Sequence, residues 1–232
     1  MDAKPKTLKF LEMVATLLLA VATWMVFAYA PMEVTMGNVQ RVFYFHVSAG
    51  WLGMISFVLA LVAGIAYLRT ADRKWDTIGL AGVEVGIVFI FINIASGSIW
   101  ARPAWNTWWT WDPRLVTATV MELIYIAYLM LRQGIEDPDR RARFGAIYAI
   151  LGSASVPLTW FSIRIWRTIH PVVIGSGNPD AEGGFSMTSA MLQTLMFSLT
   201  TFTIISIVLL WHRIRLGKLA DTVENIKMKV LS

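Results

Sequence analysis

A chain of 232 residues that is 56% hydrophobic and only 15% charged reads as a polytopic membrane protein rather than a soluble core. Its formal net charge of +5 does not signal nucleic acid, because the positive residues sit in short stretches between apolar runs. Cysteine is absent, which excludes disulfides, thiol redox chemistry, cysteine-ligated clusters and attachment of a cofactor through the chain's own thiols.

Six stretches approach the roughly 20 residues that a spanning helix needs: 10–30, 42–68, 77–98, 115–131, 142–163 and 189–211. The first is long enough to span and carries no cleavage signature, so it is read as a span and not as a removable signal. The expected fold is therefore an all-α polytopic membrane protein, one integral domain over 1–232 with six transmembrane helices. The polar, amphipathic tail of about 212–232 is expected to form a short helix of its own. Lysines and arginines divide unevenly between the two sides, fifteen against five. The positive-inside rule then places both termini in the cytoplasm and the loop between the third and fourth helices outside.

Three outward stretches follow from that topology. The first, 31–41, leads into RVFYFHVSAGW, with His46 about one helical turn inside the second span. The second is WARPAWNTWWTWDPRLVT, over about 100–117, which holds five of the eleven tryptophans and closes on Asp112 and Arg114. One or two tryptophans at an interface would be an aromatic belt; five suggest more. Trp105, Trp108 and Trp109 have the i, i+3, i+4 spacing of one helical face and predict an aromatic shelf along the membrane surface, with Trp111 beyond it. The third, about 164–188, becomes rich in Gly, Pro, Ser and Asn after Val173, and His170 before that break is expected at a helix end.

Of three histidines, His212 lies beside Arg213 at the opposite end and is read as structural. His46 and His170 flank the tryptophan loop on one membrane face. Two imidazoles can take the axial positions of a haem iron while aromatic rings pack on the macrocycle. A zinc site would have to be completed from Asp112, Asp180 and Glu182, so haem is preferred. Arginines would hold the haem carboxylates; Arg41, Arg102, Arg114, Arg164 and Arg167 are candidates, with Arg114 first because it extends from the aromatic run. Asp112 is expected to orient a histidine or to pair with Arg114. Within the spans Glu84, Asn93 and Glu122 should face the bundle interior, as neutral contacts between the third and fourth helices in preference to a polar pathway. Ser96, Gly97 and Ser98 should permit close helix approach. No nucleotide, phosphate or nucleophile motif is present, so no enzyme is expected.

At these residues the chain resembles the WWD-domain family of haem-handling proteins in cytochrome c maturation. The segment from Trp105 to Thr117 is similar to the family's tryptophan-rich motif, and the segments Arg41–Trp51 and Trp166–His170 are similar to those that bear its two haem histidines. Asn106 stands where that motif has glycine, Pro113 where it has a small residue, and Pro171-Val172 where some members have Gln-Gly. The resemblance implies a multi-pass protein of the bacterial inner membrane that holds b-type, non-covalent haem in transit at the extracytoplasmic face. It implies delivery to a CcmE-like haem chaperone, with a CcmD-like small membrane protein and CcmA/CcmB-like ABC transporter subunits as partners besides membrane lipid. Two rivals stand beside it: a transporter subunit without its own haem site, and a b-type electron-transfer protein. The first would call for inverted repeats or broken helices, and no repeat is detected; the second would call for histidines at mid-membrane depth.

Overall fold

The computed structural model describes residues 3–34, 36–172 and 187–231, and these are helical almost throughout. Helix α1 (Lys6–Trp24) continues into a π-helical turn (Met25–Tyr29). A 3-10 turn (Asn38–Gln40) then opens α2 (Arg41–Thr70). The remaining helices are α3 (Arg73–Trp105), α4 (Pro113–Gln133), α5 (Pro138–Gly152), α6 (Ser155–Ile165) and α7 (Ser189–Leu231). Among the described residues six helical segments are long and apolar enough to cross a membrane, α5 and α6 together forming the fifth.

The helix starts follow local chemistry. Asp72, Asp112 and Asp137 each accept a backbone N–H of the first turn of α3, α4 and α5, and proline occupies the first position of α4 and α5. Both choices suit a helix start, where N–H groups lack intrahelical partners. Lys74 holds the exposed Asp72 carboxyl below its usual range, by hydrogen bonding to it and by its charge.

Two boundaries differ from the sequence expectation. The fifth span is broken at 153–154, because Pro157 has no N–H for the carbonyl of Ser153 and its ring crowds that carbonyl. Val156 donates to Ser153 O instead, in a tight turn. The tail is not a separate short helix: α7 runs unbroken from Ser189 to Leu231. At 1.5 Å per residue that is about 65 Å, roughly twice the hydrocarbon thickness of a bilayer.

In lipid, apolar side chains gain little by meeting one another, so helices associate through close packing and polar contacts. The α2–α3 hairpin makes the largest interface, and small residues bring the two backbones together. A Cβ on Gly82 would stand 2.9 Å from the Ser56 carbonyl oxygen. The central core joins α2, α3 and α4, with Phe57 stacked on Tyr125 at 3.6 Å between ring centroids. Polar pairs then tie the helices together. Arg132 of α4 grips Asp76 of α3 with two bonds of 2.5 and 2.9 Å, both side chains being about nine-tenths buried. Arg213 of α7 pairs with Glu84 of α3, and His212 donates to Glu12 of α1 at 2.5 Å. Glu84 thus bonds to the last span and Asn93 to the second, not across the third and fourth helices as expected. Glu122 is buried, and its Oε2 has no hydrogen-bond partner among the described residues.

Candidate functional site

His46 sits in the second turn of α2. Its Nδ1 lies 2.9 Å from the backbone oxygen of Asn93 on α3, and since a carbonyl only accepts, Nδ1 carries the hydrogen and Nε2 the lone pair. Asn93 returns a bond from its amide Nδ2 to the His46 carbonyl, 2.8 Å away. The two side chains pack reciprocally on glycines one turn along the facing helix. A Cβ on Gly50 would lie 2.7 Å from Asn93 Nδ2, and one on Gly97 would lie 2.9 Å from His46 Cε1. Gly97 therefore serves close approach as expected, but what approaches it is the imidazole.

His170 lies in irregular chain five residues beyond α6, not at a helix end. Its ring Nδ1–H donates to the Pro171 carbonyl at 3.1 Å, again leaving Nε2 with the lone pair. Burial pushes its pKa down to about 3, helped by the nearby charge of Arg114 and by His46. What holds this segment is Asp112. One oxygen caps α4 by accepting the Arg114 N–H at 2.9 Å; the other accepts Thr168 Oγ1–H at 2.7 Å and the Ile169 N–H at 2.9 Å. Thr168 Oγ1 in turn accepts the His170 N–H at 3.0 Å. Asp112 thus supports His170 through the backbone rather than through the ring. The Arg114 guanidinium does not pair with it and donates to the carbonyl of Thr159 on α6.

The two histidines, 124 positions apart in the chain, come together with ring centroids 6.3 Å apart and planes inclined by 36°. Two cavities flank them, and His46, His170, Asn93 and Arg114 line both. The larger, about 270 Å³, is walled by α2, α6 and α7 and is mostly apolar, with Arg164 beside Arg114. The smaller, about 50 Å³, lies against the end of α3 and the start of α4, where Trp100, Trp105 and Trp109 line it.

The tryptophans do not form the helical shelf that their spacing predicted. Trp105 is the last residue of α3, and Asn106 follows in the left-handed region with φ 56°. Asparagine tolerates that conformation better than most residues, and Arg102 donates to its carbonyl oxygen at 2.9 Å. The chain over 106–112 is irregular, so Trp105, Trp108 and Trp109 share no helical face. Trp108 and Trp111 instead stand out, 59% and 84% exposed. Of the other candidate arginines, Arg41 donates to the Val26 carbonyl at 2.7 Å over the ring of Phe27, and Arg167 lines neither cavity.

The sequence reading gives no site role to Trp51, Trp160 or Asn93, and names Trp100 only as part of the tryptophan loop. A signal existed for Trp160, which precedes Arg164 by four positions on one helical face. Met196 and Leu199, on the α7 wall, carry no local signal. Among the described residues no group of three or more His, Cys, Asp and Glu is placed to hold a metal ion. Asp180 and Glu182, the other members of the zinc alternative, lie outside those residues.

The family profile described as CcmC, heme exporter protein C, matches residues 1–229. The chain is similar to the "Heme exporter protein C" of Bradyrhizobium diazoefficiens, 27% identical over 223 residues, which covers 96% of this chain and 83% of that one. It is 29% identical over 189 residues to the protein of that name in Escherichia coli K12, covering 82% and 74% of the two chains. With its counterpart in Rhodobacter capsulatus it shares 30% over 141 residues, covering 61% and 58%.

Proposed function

The chain belongs to the CcmC, heme exporter protein C family, a family of haem export and cytochrome c maturation, and from that membership and the site's geometry we propose that it holds haem between His46 and His170 and hands it to a haem chaperone. The observation that carries this reading is the histidine pair. A metal–imidazole bond is about 2 Å and the ring centre lies a little over an ångström behind the bonding nitrogen. Two ligands on opposite sides of one iron therefore place their centroids roughly 6 Å apart, which is the spacing of His46 and His170. Hydrogen bonds from both Nδ1 atoms to backbone carbonyls put the lone pairs on Nε2, the atoms that would ligate the iron, and hold each ring in place; the Asn93 amide, 3.4 Å from His46 Nε2, would give way to the metal.

The rest of the site suits the ligand's other chemistry. Trp100, Trp105 and Trp109 in the smaller cavity, and Val47, Trp160 and Leu199 in the larger, would pack against the faces and edge of the macrocycle. Two guanidiniums, Arg114 and Arg164, line the larger cavity, and a guanidinium can hold a carboxylate by charge-assisted hydrogen bonds. Haem supplies two such carboxylates. Without cysteine the chain forms no thioether to haem, so attachment is b-type and non-covalent. The protein is a binding and delivery component and not an enzyme: these residues ligate, orient and release. The excess of lysine and arginine at the end of the bundle away from the histidines supports cytoplasmic termini and a 106–112 loop on the outer side of a bacterial inner membrane. Exposed Trp108 and Trp111 then face a CcmE-like chaperone, while a CcmD-like protein and CcmA/CcmB-like transporter subunits complete the assembly.

The test is the visible spectrum of the detergent-purified protein after haemin is added. The parent gives a six-coordinate, low-spin spectrum; His46→Ala and His170→Ala each lose it, and His212→Ala keeps it. The parent spectrum persisting in both outer variants would remove the ligand assignment.

A further inference from the structure

The larger cavity differs from one end to the other. At its inner end stand His46 and His170, whereas its rim carries Trp51 and Met196, which are 40% and 53% exposed. Its walls are formed by Val47, Trp160, Ile163 and Leu199, from three spanning helices. Among the described residues α6 packs on α4 and lightly on α2, and α7 packs on α1, α2 and α3, so α6 and α7 have no packed seam between them. Hydrocarbon is as apolar as these side chains, so no hydrophobic drive closes such a seam. The smaller cavity, on the far side of the histidines, leads to the tryptophan loop. The histidine pair therefore stands between two mouths, one within the bundle wall and one at the irregular loop.

We propose that the cleft between α6 and α7 is a lateral portal through which haem dissolved in the bilayer reaches the two histidines. This rests on the haem reading above and adds the route. The shape of the ligand matches the cleft. Its ring is apolar and partitions into hydrocarbon, while its two carboxylates stay near the headgroups, as amphipathic groups do at a bilayer surface. Sliding in edge-first, the ring passes Met196 and Trp160 without leaving an apolar medium. The carboxylates meanwhile meet Arg164 and then Arg114, which line the same cavity. No water-filled path is needed on this side, and the aromatic loop on the other side is left free for release.

The absence of cysteine makes a site-specific test direct. Met196→Cys puts a unique thiol at the rim; Phe91→Cys, exposed on α3 and outside both cavities, is the control. Each full-length variant is reconstituted in liposomes carrying either a small or a bulky maleimide. Haemin is supplied in two ways: already dissolved in the liposome bilayer, or bound to albumin in the water and read before the lipid fills. The bulky label at position 196 is expected to slow growth of the low-spin band from preloaded bilayers by roughly tenfold against the small label, as an obstructed approach lowers an association rate. The albumin donor should be affected far less, and position 91 not at all. Equal slowing with both donors, or none with either, overturns the portal while the low-spin spectrum keeps the haem reading intact. If unlabelled protein gives no low-spin spectrum and behaves like His46→Ala, the haem reading falls and the portal with it.

Discussion

A methyl group added at Gly97 would press on Cε1 of His46 from 2.9 Å, and the ring could retreat only by straining the bond from its Nδ1 to Asn93. Gly97→Ala is therefore expected to turn or displace the imidazole. The low-spin fraction of haem-loaded protein should fall severalfold while the amount of folded protein stays close to the parent's, since a crowded contact of this kind costs about 1–3 kcal/mol. An unchanged spectrum would show that the ring does not depend on this packing. At His170 the relevant variable is protonation. A free imidazole titrates near 6.5, but burial and Arg114 bring this one to about 3. The folded chain thus binds that proton less tightly than the unfolded chain. Acidification through 6.5 and below costs stability, and the cost grows until pH nears the folded value. Ligation by His170 should accordingly be flat between about pH 5 and 8, where an ordinary histidine would titrate. A titration of the low-spin band showing a midpoint near 6.5 would contradict that environment.

At the scale of elements, Asp112 joins two pieces of chain that are far apart in sequence. It starts α4 and fastens the segment carrying His170. Asp112→Ala should cost about 1–3 kcal/mol, from a lost cap and two lost hydrogen bonds to a buried carboxylate. The loss should fall on His170 more than on His46: weaker haem retention with easier proteolysis around 166–172, checked by limited digestion of the haem-free protein. Equal protection in parent and variant would place the anchor elsewhere. Much of this level was legible beforehand. The Asp-Pro pair that starts α4, the long apolar runs and the order of histidine, tryptophan run and histidine all announce themselves locally. The misreadings have local causes too. The spacing of Trp105, Trp108 and Trp109 is helical only if the helix continues, and Asn106 ends it by turning left-handed. Pro157 marked the break between α5 and α6, because a proline inside an apolar run removes the bond to its fourth predecessor. What periodicity could not show is partnership across the bundle. Asn93 beside His46 and Met196 beside the same cavity belong to tertiary packing, which a single strand of sequence does not encode position by position.

For the whole molecule, stability and function sit at opposite ends. Arg132 and Asp76 form a nearly buried pair between α3 and α4, far along both helices from Trp105 and Pro113, where the ligand site lies. Removing one partner leaves the other's charge stranded, a loss of about 3–5 kcal/mol. Asp76→Ala should lower the melting temperature in detergent markedly while the protein that remains folded keeps the parent haem spectrum. A changed spectrum at unchanged stability would mean that the two ends communicate.

The long seventh helix gives that last question a mechanical form. One end of this rod walls the cavity at Met196 and Leu199; the other projects past the bundle to Leu231. Between them it is clamped at neighbouring residues, His212 to Glu12 and Arg213 to Glu84. The clamp is a fulcrum. From Arg213 to Met196 the rod is about 25 Å long, so a tilt of about 5° about that point would carry the cavity wall through roughly 2 Å. The projecting arm is then a handle: a partner that tilted it against the packing of α7 on α1, α2 and α3 would move a wall of the room where the two histidines meet.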